Sequence, residues 1–497
     1  MLPEQLLVSL PALLPEQDEL QPPVPTVLGS IDYRSWRQRL ERIDEILRSS
    51  RVEEVFIRLC LKRRLAEGKL MCAGDQVLFQ RICSVALRTT IARTLTGGSF
   101  RHFAARLADS SLLQWFCRLS RLEQVRIPGK SQLQLYQEMV NEAELREVVN
   151  ALMDSAAGKD SPLELEESVD LETQFLDSTC VRLNIHYPTD WVLLRDAVRT
   201  LMKATLLIRR RGLKARMKEP KVFLRRMNKL SMEMTQQGRR AGSRKGRKKV
   251  LREMKRHVKI VMAHARRHRD LLAQRWQETE LSEGKARQIL NRMDTILERL
   301  PYAVKQAHER IIGERQVANE EKILSLYEGH AAVYVRGKAG AEVEFGSQLL
   351  LAEAECGLIT DWELVCGNPE HDTALLKRSL EREGLQRVKT VVGDRNFDSK
   401  KTRDLLAGRE IINAIAPRDA GLLRARLRQP QFQQLQQRRG QTEARIAIFK
   451  NAFLGAPLLA KGHENQARLV AWNVLTHNLW LLAGLPKRGS SALRIAS

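Results

Sequence analysis

The feature that most strongly constrains the fold is one strand-like segment. A long helical segment separates it from every other strand-like segment. The run from Thr173 to Leu183 is rich in β-branched and aromatic residues, which favours a strand. From Val192 to about Pro301, apolar residues recur at helical spacing, with one break at Gly238 to Gly246. Strand-like patterns resume only after Glu321. A sheet that uses both parts must therefore be interrupted in sequence by a helical insertion.

Strands and helices alternate in the last third of the chain. We predict strands over Lys322 to Tyr327, Glu342 to Ala354, Gly357 to Cys366 and Val388 to Val392, and helices over His371 to Glu383, Lys400 to Leu406, Pro430 to Phe453 and Glu464 to Leu485. Strands that are interleaved with helices imply an α/β sheet. The predicted fold class is therefore an α/β core split by a long basic helical insertion.

The part of the chain before the first strand predicts an all-α domain. Apolar residues recur at three- and four-residue spacing in Val55, Phe56 and Leu59, and Asp154 to Ser168 has the composition of a linker. The predicted organisation is a flexible arm at 1–30, a helical domain at 31–165, a first core segment at 170–195, a basic helical insertion at 196–318, the rest of the core at 319–486 and a tail at 487–497.

Almost all of the net charge belongs to the insertion. Between Arg209 and Arg269, 24 Lys and Arg residues face three Glu residues, a net of +21 out of +25 for the whole chain. Such a density predicts a nucleic acid partner, because each phosphate that is neutralised releases a condensed counterion. The alternative is a solvated, disordered insert. The densest run supplies candidate DNA-binding residues: Arg239, Arg240, Arg244, Lys245, Arg247, Lys248 and Lys249.

Several other classes of protein are disfavoured. No apolar run is long enough to span a bilayer, and the first residues lack the positive charge of a secretory signal. The chain has no Gly-x4-Gly-Lys-Ser/Thr motif, so a nucleotide cofactor is not implied. We expect a cytoplasmic, nucleoid-associated protein without a membrane partner.

Three carboxylates in different local settings are the candidate catalytic residues. Asp177 ends the first strand-like run, Asp394 follows the apolar run that begins at Val388, and Glu443 lies in a predicted helix. Hard oxygen ligands suit Mg²⁺, with Mn²⁺ as a substitute, and two ions about 4 Å apart support phosphodiester chemistry. In a chain this basic, we expect the phosphodiester to be DNA. The alternatives for the first carboxylate are Asp190, Glu328 and Glu353, of which Glu353 is the strongest.

The same blocks, in order, resemble the DDE transposases of bacterial insertion sequences. Phe175-Leu-Asp-Ser-Thr179 is similar to the first-carboxylate strand of that family, and Val392-Gly-Asp394-Arg-Asn-Phe-Asp-Ser399 to its second-carboxylate block. Arg439-x3-Glu443-x6-Lys450 matches most of the Tyr-x2-Arg-x3-Glu-x6-Lys signature of a large branch. The likeness covers about residues 99 to 485.

The resemblance implies more than the residues alone predict. It implies a ribonuclease-H-like core, two Mg²⁺ ions on Asp177, Asp394 and Glu443, and contacts from Arg439 and Lys450 to DNA. It also implies cleavage at terminal inverted repeats, strand transfer into target DNA, and a homodimer or higher oligomer. The region from Phe100 to Phe116 resembles the part of the family associated with end binding and dimerisation.

Two departures from the family pattern leave an alternative open. Gln436 stands at the place of the signature's Tyr, and Asn396 replaces the more usual Gly of the second block, where Asn tolerates a left-handed backbone. A catalytically inactive DNA-binding relative is the alternative function, and a general metal-dependent nuclease is a third. Trp191 and Trp276 are candidates for stacking on a displaced base.

Overall fold

The protein is described by a computed structural model that covers residues 10–15, 22–69, 72–119, 125–158, 160–238, 243–338, 341–382 and 384–488. Its α-helices are α1 Ile31–Ser49, α2 Val52–Ala66, α3 Ala73–Thr96, α4 Phe100–Asp109, α5 Ser111–Phe116, α6 Lys130–Gln137, α7 Glu142–Ala156, α8 Asp190–Arg210, α9 Pro220–Gly238, α10 Arg244–Arg275, α11 Glu283–Ile311, α12 Asp372–Leu380, α13 Lys400–Gly408, α14 Ala420–Arg426, α15 Pro430–Ile448 and α16 His463–Leu482. Its strands are β1 Thr173–Arg182, β2 Ala332–Lys338, β3 Ala341–Glu353, β4 Ile359–Leu364, β5 Thr390–Gly393 and β6 Ile412–Ile415.

The six strands form one mixed sheet in the order β2-β3-β1-β5-β6, and β4 pairs with the C-terminal half of β3. Strand β1 is central: it runs antiparallel to β3 and parallel to β5, which in turn runs parallel to β6. Only β1 precedes the insertion, so the prediction of a mixed α/β fold with a sheet split in sequence is confirmed.

The insertion is helical and has an apolar core of its own. Helices α8 to α11 pack around buried residues such as Leu201, Leu251 and Met293. Its two ends are joined, because Asp190 at the start of α8 accepts hydrogen bonds from Arg310 at 3.0 Å and from Gln306 at 2.9 Å. The insertion is thus a compact unit whose entry and exit lie side by side.

The N-terminal helices and the C-terminal helix share one core with the back of the sheet. Trp472 of α16 packs against Phe56 of α2, with ring centroids 5.8 Å apart. Residues 10–15 and 22–28 of the predicted flexible arm lie along these helices, where Leu10 is buried and Gln80 bonds to the backbone of Leu14. The described part of the arm is therefore docked, and residues 1–9, 16–21 and 489–497 lie outside the described residues. Among the described helices, none has both the length and the apolar character needed to cross a membrane.

The strand predicted at the exit of the insertion was wrong, and one strand at the edge of the sheet was missed. The stretch Lys322 to Tyr327 is irregular, and the next strand is β2, which begins at Ala332. Strand β6 was not predicted at all. Strand β6 has only four residues, and its first residue, Ile412, is 53% exposed. Its apolar run is therefore too short to show the sequence pattern of a buried strand.

Helix α15 packs on the sheet through the buried Phe432 and is also held by polar contacts. Arg438 donates a hydrogen bond at 3.0 Å to the carboxylate of Glu353, which is 4% exposed at the end of β3. Thr442 donates to the same carboxylate at 2.8 Å, and the Arg438 guanidinium stacks over Phe175 of β1 at 4.5 Å. These contacts hold α15 across the centre of the sheet.

Arg438→Met should lower the free energy of unfolding by about 3 kcal/mol, because it leaves a buried Glu353 carboxylate without its ion-pair partner. Adding Glu353→Leu should recover much of the loss, since it removes the uncompensated charge. Arg287→Met is the matched control, because the Arg287–Glu283 pair is exposed. Urea denaturation measures all three. A single Arg438 variant as stable as the control would contradict the assignment.

Candidate active site

A cleft of about 710 Å³ lies at the middle of β1 and the end of β5, beside α15. All three predicted carboxylates line it: Asp177 from β1, Asp394 directly after β5, and Glu443 from α15. Glu443 is exposed, whereas Asp177 and Asp394 are partly buried. Side chains that are more than 200 positions apart in sequence thus meet in one cavity.

The parallel register of β1 and β5 explains why the two aspartates meet. Phe175 pairs with Val392, so continuing the register by two residues brings Asp177 level with Asp394. Neighbouring strands are about 4.8 Å apart, and side chains two residues apart lie on the same face of a sheet. The two carboxylates therefore point to the same side of the sheet. Asp394 lies just beyond the end of β5, whereas Asp177 lies in the middle of β1 and not at its end as predicted.

Asp394 is held by the turn that follows it. Its carboxylate accepts hydrogen bonds from the backbone N–H of Asn396 at 2.9 Å and from the Asn396 side-chain amide at 3.3 Å. The turn is a short 3₁₀ helix, and Asn396 is not among the residues with positive φ. The expected left-handed backbone is therefore absent at Asn396, which instead orients the carboxylate.

Gln436 stands at the place of the signature's Tyr, and it joins α15 to β5 and β6. Its side-chain amide donates to the carbonyl of Ala414 in β6 at 2.6 Å and, more weakly, to that of Gly393 in β5 at 3.4 Å. Gln436 also accepts a hydrogen bond from Arg439 at 3.2 Å. This residue thus sets the distance between the helix that carries Glu443 and the strand end that carries Asp394.

The carboxylates repel one another in a site that is partly shielded from water. Burial, followed by the negative charges of Asp394 and Glu443, raises the pKa of Asp177 to about 6, against a lowering by Arg439 and by the backbone N–H of Ser178. Asp177 therefore interacts electrostatically with both of the other acids, and a cation placed among them would be stabilised.

Lys450 lies at the opposite wall of the cleft from Asp394's turn. Its ammonium donates to the hydroxyl of Thr179 at 3.0 Å and to the carbonyl of Cys180 at 2.6 Å, both on β1. Helix α15 changes to a π-helical turn at Phe449, just before this lysine. The predicted cations Arg439 and Lys450 are thus both near Asp177, with Lys450 anchored to the strand that carries it.

Asp372, which sequence reasoning did not assign to the site, also lines the cleft. It is the first residue of α12 and accepts a hydrogen bond from Gln348 at 3.2 Å. Burial and the charge of Asp394 raise its pKa, while a hydrogen bond from the Ser178 hydroxyl lowers it. Its only sequence signal was its place at the start of the predicted helix His371 to Glu383.

The alternative first carboxylates have structural partners elsewhere. Glu353 pairs with Arg438, and Asp190 pairs with Arg310. Glu328 is buried and accepts hydrogen bonds from the backbone of Gly462 and the side chain of Gln466. None of these three lines the cleft that holds Asp394 and Glu443.

The predicted basic cluster lies outside this cleft. Arg244, Lys245, Arg247, Lys248 and Lys249 occupy the first turns of α10; Arg239 and Arg240 lie outside the described residues. Trp191 and Trp276 are partly buried and pack against the apolar core of the insertion, and their stacking on a base stays a prediction.

The donor set suits a hard divalent cation. Within the described ranges, no three His, Cys, Asp or Glu side chains lie close enough together to hold one metal ion. Asp177 interacts electrostatically with both Asp394 and Glu443, and Mg²⁺ is usually held by one or two carboxylates with waters and phosphate oxygens. The carboxylates of this cleft could therefore supply one or two ligands to such an ion.

Comparison of the chain with protein-family models, with curated proteins and with solved structures finds no match.

Asp177→Asn should stabilise the metal-free protein at alkaline pH. The pKa of about 6 lies above the unfolded value of about 3.9, so the stabilisation from protonating Asp177 is complete below about pH 4 and is lost as the pH rises through 6. The neutral amide avoids that loss, so the variant should gain on the order of 2 kcal/mol at pH 8 and almost nothing at pH 4.

Urea denaturation in EDTA at both pH values measures the difference. Asp404→Asn, an exposed change on α13, is the control and should alter stability at neither pH. An Asp177 variant that is no more stable than the control at pH 8 would show that the cleft is not electrostatically strained.

Proposed function

We propose that the protein is a DDE transposase, which cleaves DNA at the ends of its element and transfers the strands to target DNA. The observation that carries the proposal is the meeting of Asp177, Asp394 and Glu443 in one cleft, from three distant segments that resemble the family's three blocks.

The sheet supports a ribonuclease-H-like core. Without β2, the sheet has five strands in the order β4-β3-β1-β5-β6. Strands β4, β3 and β1 pair antiparallel, β5 and β6 run parallel to β1, and β1 is in the middle. The helical insertion follows the first strand, as the resemblance implies.

The side chains of the cleft have separable roles in this proposal. Asp177, Asp394 and Glu443 hold Mg²⁺, which supplies charge stabilisation for the attacking and leaving oxygens of an in-line displacement. Arg439 lies close enough to Asp177 to lower its pKa, so it offsets the acidic charge and is placed to meet a phosphate. Lys450 secures the helix to β1, and Gln436 and Asn396 keep the acids in register.

The partners in this proposal are DNA ends and target DNA, with a homodimer or higher oligomer formed on the DNA. The basic insertion supports the DNA part, since it holds a net +21 in one compact helical unit. The role of the N-terminal helices in end binding and dimerisation stays a prediction from the resemblance.

Purified protein, Mg²⁺ and a duplex made from the DNA that flanks its gene provide the test. We expect metal-dependent nicking followed by strand joining, and Asp394→Asn should lower the rate by at least about 100-fold, because it removes charge stabilisation from the transition state. Glu443→Gln should act similarly, while Asp404→Asn should cut normally.

The other outcomes identify the alternatives. Binding of the duplex without nicking would favour a repurposed DNA-binding relative. Cutting of any DNA without strand joining would favour a general metal-dependent nuclease. Nicking that survives Asp394→Asn would exclude this cleft as the place of the chemistry.

A further inference from the structure

A second cavity, of about 840 Å³, lies between the start of α10 and the segment that leaves α11. Five cations line it, two from the basic run on α10 and three from the exit segment of the insertion: Arg244, Arg247, Arg310, Arg315 and Lys322. The last three lie outside the basic run that the sequence singled out. We call this cavity the exit groove.

Glu314 is the single acid that lines the described exit groove. Its carboxylate contacts the Lys248 ammonium at 2.8 Å and the Arg244 guanidinium at 3.7 Å. These cations lower the pKa of Glu314, with Lys248 the main cause. Glu314 therefore occupies, between two cations, the kind of position that a phosphate oxygen would take.

The remaining cations of the groove are not all satisfied within the protein. The Nε atom of Arg247 is buried and has no hydrogen-bond partner among the described residues. Arg315 makes a 3.3 Å contact with Glu309 but stays 75% exposed. The exposed Arg315 guanidinium is therefore accessible to an anion in the groove.

The exit groove adjoins the carboxylate cleft. Asn319 lines both cavities, and its side-chain oxygen accepts a 2.6 Å hydrogen bond from Lys322 of the groove. Glu320, the next residue, also lines the carboxylate cleft. The two cavities therefore lie on either side of Asn319.

We propose that the exit groove binds the phosphate backbone of the DNA strand next to the scissile position, and that Glu314 is an internal competitor for those phosphates in the free protein. The inference rests on the proposed function for the identity of the strand. An acidic polypeptide is the other polyanion that could bind cations, but its carboxylates carry no phosphodiester for the adjoining cleft. Arginine forks pair bidentately with phosphate, and the groove contains four of them.

The salt dependence of binding tests the proposal without any chemistry. The full-length protein is titrated in EDTA with a short fluorescent duplex of arbitrary sequence at several salt concentrations. Each lost phosphate contact should reduce the slope of log affinity against log salt by about 0.9, so Arg247→Gln combined with Arg315→Gln should flatten it by about two. Glu314→Gln should strengthen binding and steepen the slope by up to about two, because it frees two cations.

Lys285→Gln is the matched control. Lys285 is exposed near the start of α11, about 37 Å along that helix from Arg310, and its loss should change neither affinity nor slope beyond the scatter. The Glu314→Gln variant is expected to bind DNA more tightly. Its result can therefore be interpreted even if the double variant folds poorly.

Three results would overturn the inference. One is an unchanged slope in a folded double variant, the second is weaker binding by Glu314→Gln, and the third is more effective competition by polyglutamate than by unlabelled duplex. Failure of the proposed function is distinguishable: the slopes would change as predicted while Mg²⁺ supported no nicking.

Discussion

The buried ion pair between Arg438 and Glu353 is the contact on which the geometry of the cleft depends. It joins the middle of α15 to the end of β3, and β3 is the antiparallel partner of β1. Glu443 is five positions further along the same helix, so its location relative to Asp177 follows from this pair. Gln436 and Lys450 then fix the helix at two more points, on β6 and on β1. Three polar contacts thus determine where one carboxylate meets two others.

The cleft is assembled at an electrostatic cost. Asp177, Asp394, Asp372 and Glu443 line one cavity, and burial adds to their mutual repulsion at Asp177. The surrounding structure opposes this cost with hydrogen bonds to the charged groups, including those from Asn396 to Asp394. Local charge crowding that the rest of the fold must stabilise is common where proteins bind cations, and rare on surfaces that only face water.

The sequence predicted the parts of this molecule that have a strong local signal. The strand of Asp177, the buried strand before Asp394 and the helix of Glu443 each have a clear period, and the break before Arg244 was visible as a glycine-rich stretch. Contacts between distant segments had no such signal. Arg438 and Arg439 are indistinguishable in the sequence, yet Arg438 pairs with a buried acid, whereas Arg439 lies close enough to Asp177 to lower its pKa. Glu353 was a plausible ligand for the same reason: its burial depends on a helix some 85 residues later, as the Arg438 bond shows.

The clasp between Asp190 and Arg310 has a consequence for how the sheet can form. Strand β1 must find partners on the far side of roughly 150 residues, and closing a flexible loop of that length carries an entropic cost that grows with its logarithm. Because the insertion has its own apolar core and its ends are tied together, it can fold first and leave only short free connections. Halving the effective loop length two to three times lowers the entropic cost of closing the loop by about 1.5 kcal/mol. In kinetic terms, a helical unit that collapses locally turns the slowest strand pairing into a nearly local one.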